Sequence, residues 1–260
     1  MNVWEARVVV RERGLAEIVD LAVRFSLILG AGLYARLSAC LLLPAYALCW
    51  WLLERGVDTG LVWVLALASF SLLQLPFTVA AGRLLFSAEV SLRDVLSSSL
   101  RLAFRATAAR ILSLLLFVGG SLIVFAAPFT IARALYMGEV VVLEGAGPLA
   151  AYRRTTRLTY RHVAKAFLVW LSIVATSLAC VAVVAILARS LAAEGLAIDA
   201  LPEVWGGFSP AAGIAGLFLS LPLVATLRFL AYIDIRTRRE GWDIQVRFLE
   251  LSRVLEAGAG

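Results

Sequence analysis

Residues 166–189 read AFLVWLSIVATSLACVAVVAILAR, a run whose only charge is Arg189 at its far end. As a helix rising about 1.5 Å per residue, it exceeds the roughly 30 Å of hydrocarbon in a bilayer. Working outward, comparable runs lie at about 33–53, 61–83, 107–126 and 210–233, and a shorter one at about 128–144 carries Arg133 and Glu139. Hydrophobic residues make up 62% of the 260 positions, against roughly 45–50% in a soluble domain, and the mean hydropathy is +0.92. No polar stretch is long enough for a separate soluble domain. The chain therefore reads as one all-α membrane domain over 1–260, a polytopic helical protein with six transmembrane spans.

The net charge of +6 and a pI near 9.7 raise nucleic acid as a partner, but the placement of the charges excludes it. Of 24 basic residues only Lys165 is not arginine, and almost all lie just beyond the ends of apolar runs. There they set topology and meet anionic headgroups. Segments 1–32, 83–110, 145–165 and 234–260 are arginine-rich, whereas 54–60 sets Arg55 against Glu54 and Asp58, and 190–209 holds Glu194, Asp199 and Glu203 with no base. Basic segments face the cytoplasm, so both termini are expected there. Trp50, Trp51, Trp63 and Trp205 fall at the opposite boundary, where indole rings prefer to sit. The N-terminal charges Arg7, Arg11, Glu12 and Arg13 precede a long amphipathic and apolar stretch without a small-residue cleavage site, unlike a cleaved signal peptide.

Three stretches on the basic side share a pattern. Leu15, Ile18, Ala22 and Phe25 form one stripe, Leu92, Val95, Ser99 and Leu102 a second, and Pro148, Ala151, Thr155 and Leu158 a third. Arg24, Arg101 and Arg157 stand on the opposite faces. Each stretch is expected to form an amphipathic elbow helix in the headgroup plane, followed by two spans. The second span of each pair holds a proline: Pro76, Pro128 and Pro222. The strings Pro76-Phe77-Thr78-Val79-Ala80 and Pro128-Phe129-Thr130-Ile131-Ala132 nearly match. Together these predict a threefold parallel repeat over 14–86, 91–144 and 147–233. The tail 234–260 continues as a cytoplasmic helix with i,i+4 pairs Asp234–Arg238, Arg236–Glu240 and Arg239–Asp243. After Gly241, Ile244, Phe248, Leu251 and Leu255 share a face suited to an interface or partner.

Catalytic chemistry is poorly motivated. There is no zinc spacing, phosphate loop or nucleophile elbow, and no cofactor or metal is implied. His162, the sole histidine, reads as a boundary side chain, and Cys40, Cys49 and Cys180 as small core residues. The sharper feature is charge at bilayer depth, which costs about 2.5–3.5 kcal/mol per residue on the insertion scale. Gln74, Arg133, Glu139 and Glu144 are the candidate polar site. They form either a polar path or headgroup site, or a structural set of interhelical pairs and snorkelling side chains. Arg101, Arg157, Asp234, Arg236, Arg239, Glu240 and Asp243 are the candidate cytoplasmic interaction residues.

The string Arg133 … Val141-Val142-Leu143-Glu144-Gly145 … Ala151-Tyr152-Arg153-Arg154-Thr155-Thr156-Arg157-Leu158-Thr159 resembles the motif of a bacterial family of polytopic proteins similar to the membrane domain of some glycerophosphodiester phosphodiesterases. The tail Tyr232-Ile233-Asp234-Ile235-Arg236-Thr237-Arg238-Arg239-Glu240-Gly241-Trp242-Asp243 resembles the ending of many members. Phe129 replaces the usual glycine after the proline, and Thr156 the usual tryptophan of the elbow. The resemblance implies a bacterial inner-membrane module without established catalytic residues, and hydrolase activity is not transferred. Three functions are carried forward: a non-catalytic module anchoring a protein partner and anionic lipid headgroups at the cytoplasmic face, a transporter or lipid-handling protein with a polar interior, and a membrane enzyme acting on lipid.

Overall fold

The computed structural model describes residues 13–85, 87, 89–121, 127–194 and 209–240. Among them every regular element is a helix. Helix α1 (Leu15–Arg24) passes through a π-helical turn, Phe25–Leu29, to Gly30. From there α2 (Ala31–Leu37), a second π-helical turn (Ser38–Leu42) and α3 (Leu43–Glu54) follow one another as the first apolar span, Ala31–Glu54. A turn with Gly56 at φ +73° leads to α4 (Thr59–Leu84), capped by Asp58, whose carboxylate accepts the Leu61 N–H at 3.1 Å. Then come α5 (Leu92–Ser121), α6 (Ala127–Ala134), α7 (Met137–Glu144), α8 (Pro148–Thr159), α9 (Val163–Glu194) and α10 (Pro210–Glu240).

Among the described residues five helices are long and apolar enough to cross a bilayer: Ala31–Glu54, Thr59–Leu84, Leu92–Gly120, Val163–Leu191 and Pro210–Arg239. They contain the expected spans 33–53, 61–83, 166–189 and 210–233 and the described part of 107–126, and the chain is a multi-pass helical membrane protein. The expected sixth span, 128–144, is broken instead. Helices α6 and α7 part at Leu135-Tyr136, and Ala127–Glu144 reaches span length and hydropathy only together with α8, from which it is bent by 117°. The bend has a local cause. Gly145 ends α7 at φ +65°, where a Cβ would be strained, and donates its N–H to the Val141 carbonyl; Pro148 then starts α8.

Helix α10 is the axis. Most residues from Ala211 to Thr237 are buried, and it packs most extensively against α9 and α4. The closest approach is at Gly216, where a Cβ would stand 2.6 Å from Val181 Cα and 2.8 Å from the Cys180 carbonyl. Lipid tails are as apolar as leucine, so helices associate by such close packing and by polar contacts rather than by expulsion of water. The outer faces of α5 and α9 show the lipid-facing pattern: Phe104, Leu114, Val118, Leu178 and Ile186 are all exposed.

The three predicted stripes point inward. Ile18, Ala22 and Phe25, then Val95 and Ser99, then Ala151, Thr155 and Leu158 are buried, while Arg24, Arg101 and Arg157 are exposed. The stretch from Leu92 does not turn, however, and runs unbroken into the following span as α5. The apolar face of α1 meets α10 and α9, and α8 meets α7, α6 and α5, so these faces are covered by protein. Cys49 is buried, as expected of a core residue, but Cys40 is exposed and Cys180 half-buried. Trp205, the end of the acidic connection and the tail from Gly241 with its partner-binding face lie outside the described residues.

Gly216→Ala is expected to lower the melting temperature in detergent, overpacking costing about 1–3 kcal/mol. Gly119→Ala, which meets nothing within 4 Å, should be neutral or gain up to about 1 kcal/mol from helix propensity. Equal melting temperatures for the two variants would show that α9 and α10 do not touch as described.

Candidate functional site

The broken fourth span faces Arg228, the only charge between Pro210 and Ile233. Its guanidinium is the hub of a buried cluster. One terminal nitrogen donates to Glu139 Oε2 at 2.9 Å and to the Leu135 carbonyl at 2.6 Å. The other donates to Gln74 Oε1 at 2.7 Å, and Arg110 donates to the same oxygen at 2.9 Å. Glu139 is fully buried and Arg228 only 7% exposed. The Leu135 carbonyl lies at the α6–α7 break, so the arginine binds both the freed backbone and the carboxylate one helical turn onward.

Local sequence explains the convergence. Gln74 precedes Pro76, which sits buried inside α4 and has no N–H for the helix ladder, and the Thr78 hydroxyl donates to the Gln74 carbonyl at 3.1 Å. On α7, a Cβ at Gly138 would come within 3.1 Å of an Arg110 terminal nitrogen, so the glycine makes room for that guanidinium. Two polar atoms of the cluster, Glu139 Oε1 and Arg228 Nε, have no hydrogen-bond partner. With Arg228 and Glu139 opposed, Arg110 leaves one positive charge over.

A cavity of about 210 Å³ adjoins the cluster, with Arg110 and Arg228 in its wall beside Ser71, Ser113 and Trp170. Leu114 and Phe117 also line it, and both are exposed on the lipid-facing side of α5.

Of the four expected intramembrane residues, Gln74 and Glu139 thus meet through Arg228. Arg133 does not join them; it is half-buried on α6 and forms no ion pair among the described residues. Glu144 belongs to a different cluster at the arginine-rich end. Its carboxylate accepts from Arg154 Nε at 3.1 and 3.2 Å and from the Tyr232 hydroxyl at 2.7 Å, with Arg236 at 3.8 Å. It ties α7 to α8 and α10, which is a structural task. The Glu144-Gly145 string therefore marks a corner: the glycine turns the chain and the glutamate holds the next helix.

A third cluster holds the start of the described chain. Asp234 accepts from Lys165, from Arg238 at 3.1 Å and from the Arg13 backbone N–H at 2.7 Å. The Arg13 carbonyl in turn accepts from Lys165 at 3.0 Å and Arg238 at 2.9 Å. The expected Asp234–Arg238 pair is present, but Asp234 faces inward and is buried. Arg239 donates to the Arg157 carbonyl at 3.1 Å, and Arg101 is exposed. The Glu240 side chain and Asp243 lie outside the described residues. His162 is half-buried, and its pKa is lowered by desolvation first and then by Arg238, Lys165 and Arg239.

Sequence reasoning passed over Arg228 and Arg110. The signal was available for Arg228, a lone charge inside an otherwise apolar span, which carries the same insertion cost as Arg133 or Glu139. Comparison of the chain with protein families, curated proteins and solved structures finds no match.

Arg228→Leu leaves Glu139 as an unpaired buried charge and is expected to cost about 3–5 kcal/mol of stability in mixed-micelle denaturation. Arg228→Lys should recover less than half of that, because an ammonium lacks the planar fork that reaches Glu139, Gln74 and Leu135 together. Full recovery by lysine would contradict the hub role.

Proposed function

We propose that the chain is a transporter or lipid-handling membrane protein that works through the polar interior formed by Gln74, Arg110, Glu139 and Arg228. The observation that carries this reading is the broken α6–α7 helix, whose freed Leu135 carbonyl meets a buried arginine beside a cavity. Interrupted helices at membrane depth are tolerated where they are buried in protein or line a cavity, and transporters build their sites from them. The buried stripes of α1, α5 and α8 are consistent with a threefold parallel repeat, and α6–α7, with α8 bent away from it, would then be the sixth span. In this reading the arginine-rich end faces the cytoplasm of a bacterial inner membrane.

A second reading, a module anchoring a partner, draws on Arg24, Arg101 and Arg157, exposed on the backs of three helices. It is compatible with the resemblance to phosphodiesterase membrane domains, and it makes no use of the cavity.

Reconstitution into vesicles separates the two. The wild-type protein should speed redistribution of a fluorescent anionic phospholipid between leaflets relative to empty vesicles. Gly138→Leu, which crowds Arg110, should reduce that rate to the empty-vesicle level at equal folded content. A rate no faster than empty vesicles for the wild type removes the lipid-moving form of the proposal.

A further inference from the structure

The cavity wall has a definite chemical sense. Glu139, which Arg228 engages, is absent from the lining, so the charged groups at the wall are two guanidiniums. Arg110 carries five N–H donors, and its only hydrogen bond among the described residues goes to Gln74. The other donors meet no protein acceptor there. Arg228 Nε is likewise buried without a partner. The Ser113 hydroxyl points at the Met137 sulfur at 3.2 Å, a weak acceptor that a stronger one displaces readily.

This arrangement is short of acceptors and long in positive charge. A cation at bilayer depth costs a few kcal/mol, and arginine is the residue best shaped to recognise a carboxylate or phosphate through two parallel hydrogen bonds. Size narrows the choice. An apolar cavity of about 150 Å³ holds benzene, so 210 Å³ suits a group between a phosphate and a glycerophosphate, well short of a whole lipid. The exposed Leu114 and Phe117 at the wall put the cavity's flank toward the acyl chains, so a headgroup would sit inside while its tails stay in the bilayer.

We infer that the cavity beside Arg110 and Arg228 is a binding site for a phosphate oxyanion, with Arg110 as its principal cation and Ser113 as an added donor. This deepens the proposed function and rests on the same cavity. The oxyanion comes either free or on a lipid headgroup.

The test uses the full chain in an uncharged detergent, with thermal stability followed against inorganic phosphate, phosphatidic acid and, as a neutral control, diacylglycerol. Wild-type protein is expected to be stabilised by phosphate, by phosphatidic acid or by both, and not by diacylglycerol; phosphatidic acid alone assigns a lipid source, phosphate a free one. Arg110→Gln, which keeps a donor for Gln74 but removes the charge, should weaken the apparent affinity about tenfold or more. Ser113→Ala should weaken it less, and Arg157→Gln on the exposed face should leave it unchanged. No stabilisation of the wild type by either phosphate ligand overturns the inference. So does undiminished stabilisation of Arg110→Gln, or a loss caused by Arg157→Gln, which would place binding on the outer basic face. Binding without lipid movement in vesicles would sink the lipid-moving reading and leave the site intact. Lipid movement without phosphate binding would do the reverse.

Discussion

The pairing of Arg228 with Glu139 inside a low-dielectric bundle is the interaction on which the rest of the arrangement turns. Neither side chain is tolerable alone at that depth: removing one partner of a buried pair is costly because the other is left charged and dry. The pair fixes α10 against α7. Through the same guanidinium it also engages the Leu135 carbonyl at the helix break and the Gln74 amide on α4. Three elements that lipid alone would leave free to slide are thereby held in one register.

The cluster is incomplete in a way that stability alone does not require. A pure structural pair would be best with every donor and acceptor matched, yet Glu139 Oε1 and Arg228 Nε have none, and Arg110 adds a charge that no carboxylate balances. The other two clusters differ. Glu144 is shared by Arg154, Tyr232 and Arg236, and Asp234 by Lys165, Arg238 and the Arg13 backbone. Those clusters lie at the arginine-rich end and fasten helices and the Arg13 backbone to one another. The Arg228 cluster borders a cavity with cations in its wall.

The sequence made the membrane class and five spans legible because span length and apolar content are properties of a single helix. Helix faces were legible for the same reason: Ile18 and Ala22 bury and Arg24 does not, as periodicity requires. What periodicity does not encode is what covers a face, so stripes on helices expected in the headgroup plane are packed on protein. The unbroken run from Leu92 as α5 was legible, since no glycine or proline interrupts the sequence before Gly119, and the resemblance to the other two stripes obscured it. The fourth span was recognisable as weak from its length and charges. Its partner was not, because Arg228 lies 89 residues from Glu139 along the chain and only three-dimensional packing joins them. For Glu144 the two readings stayed open on the same ground: a glutamate at the end of a span has the same composition signal whether it faces a pore or ties down a corner.

The most direct test of this account is a double-mutant cycle between positions 228 and 139, using Arg228→Leu, Glu139→Leu and the double variant, with stability measured in mixed micelles. Each single substitution should be strongly destabilising, and the double variant more stable than the sum predicts by about 2–3 kcal/mol. Additivity within about 0.5 kcal/mol would contradict a direct pair and, with it, the polar interior built around it.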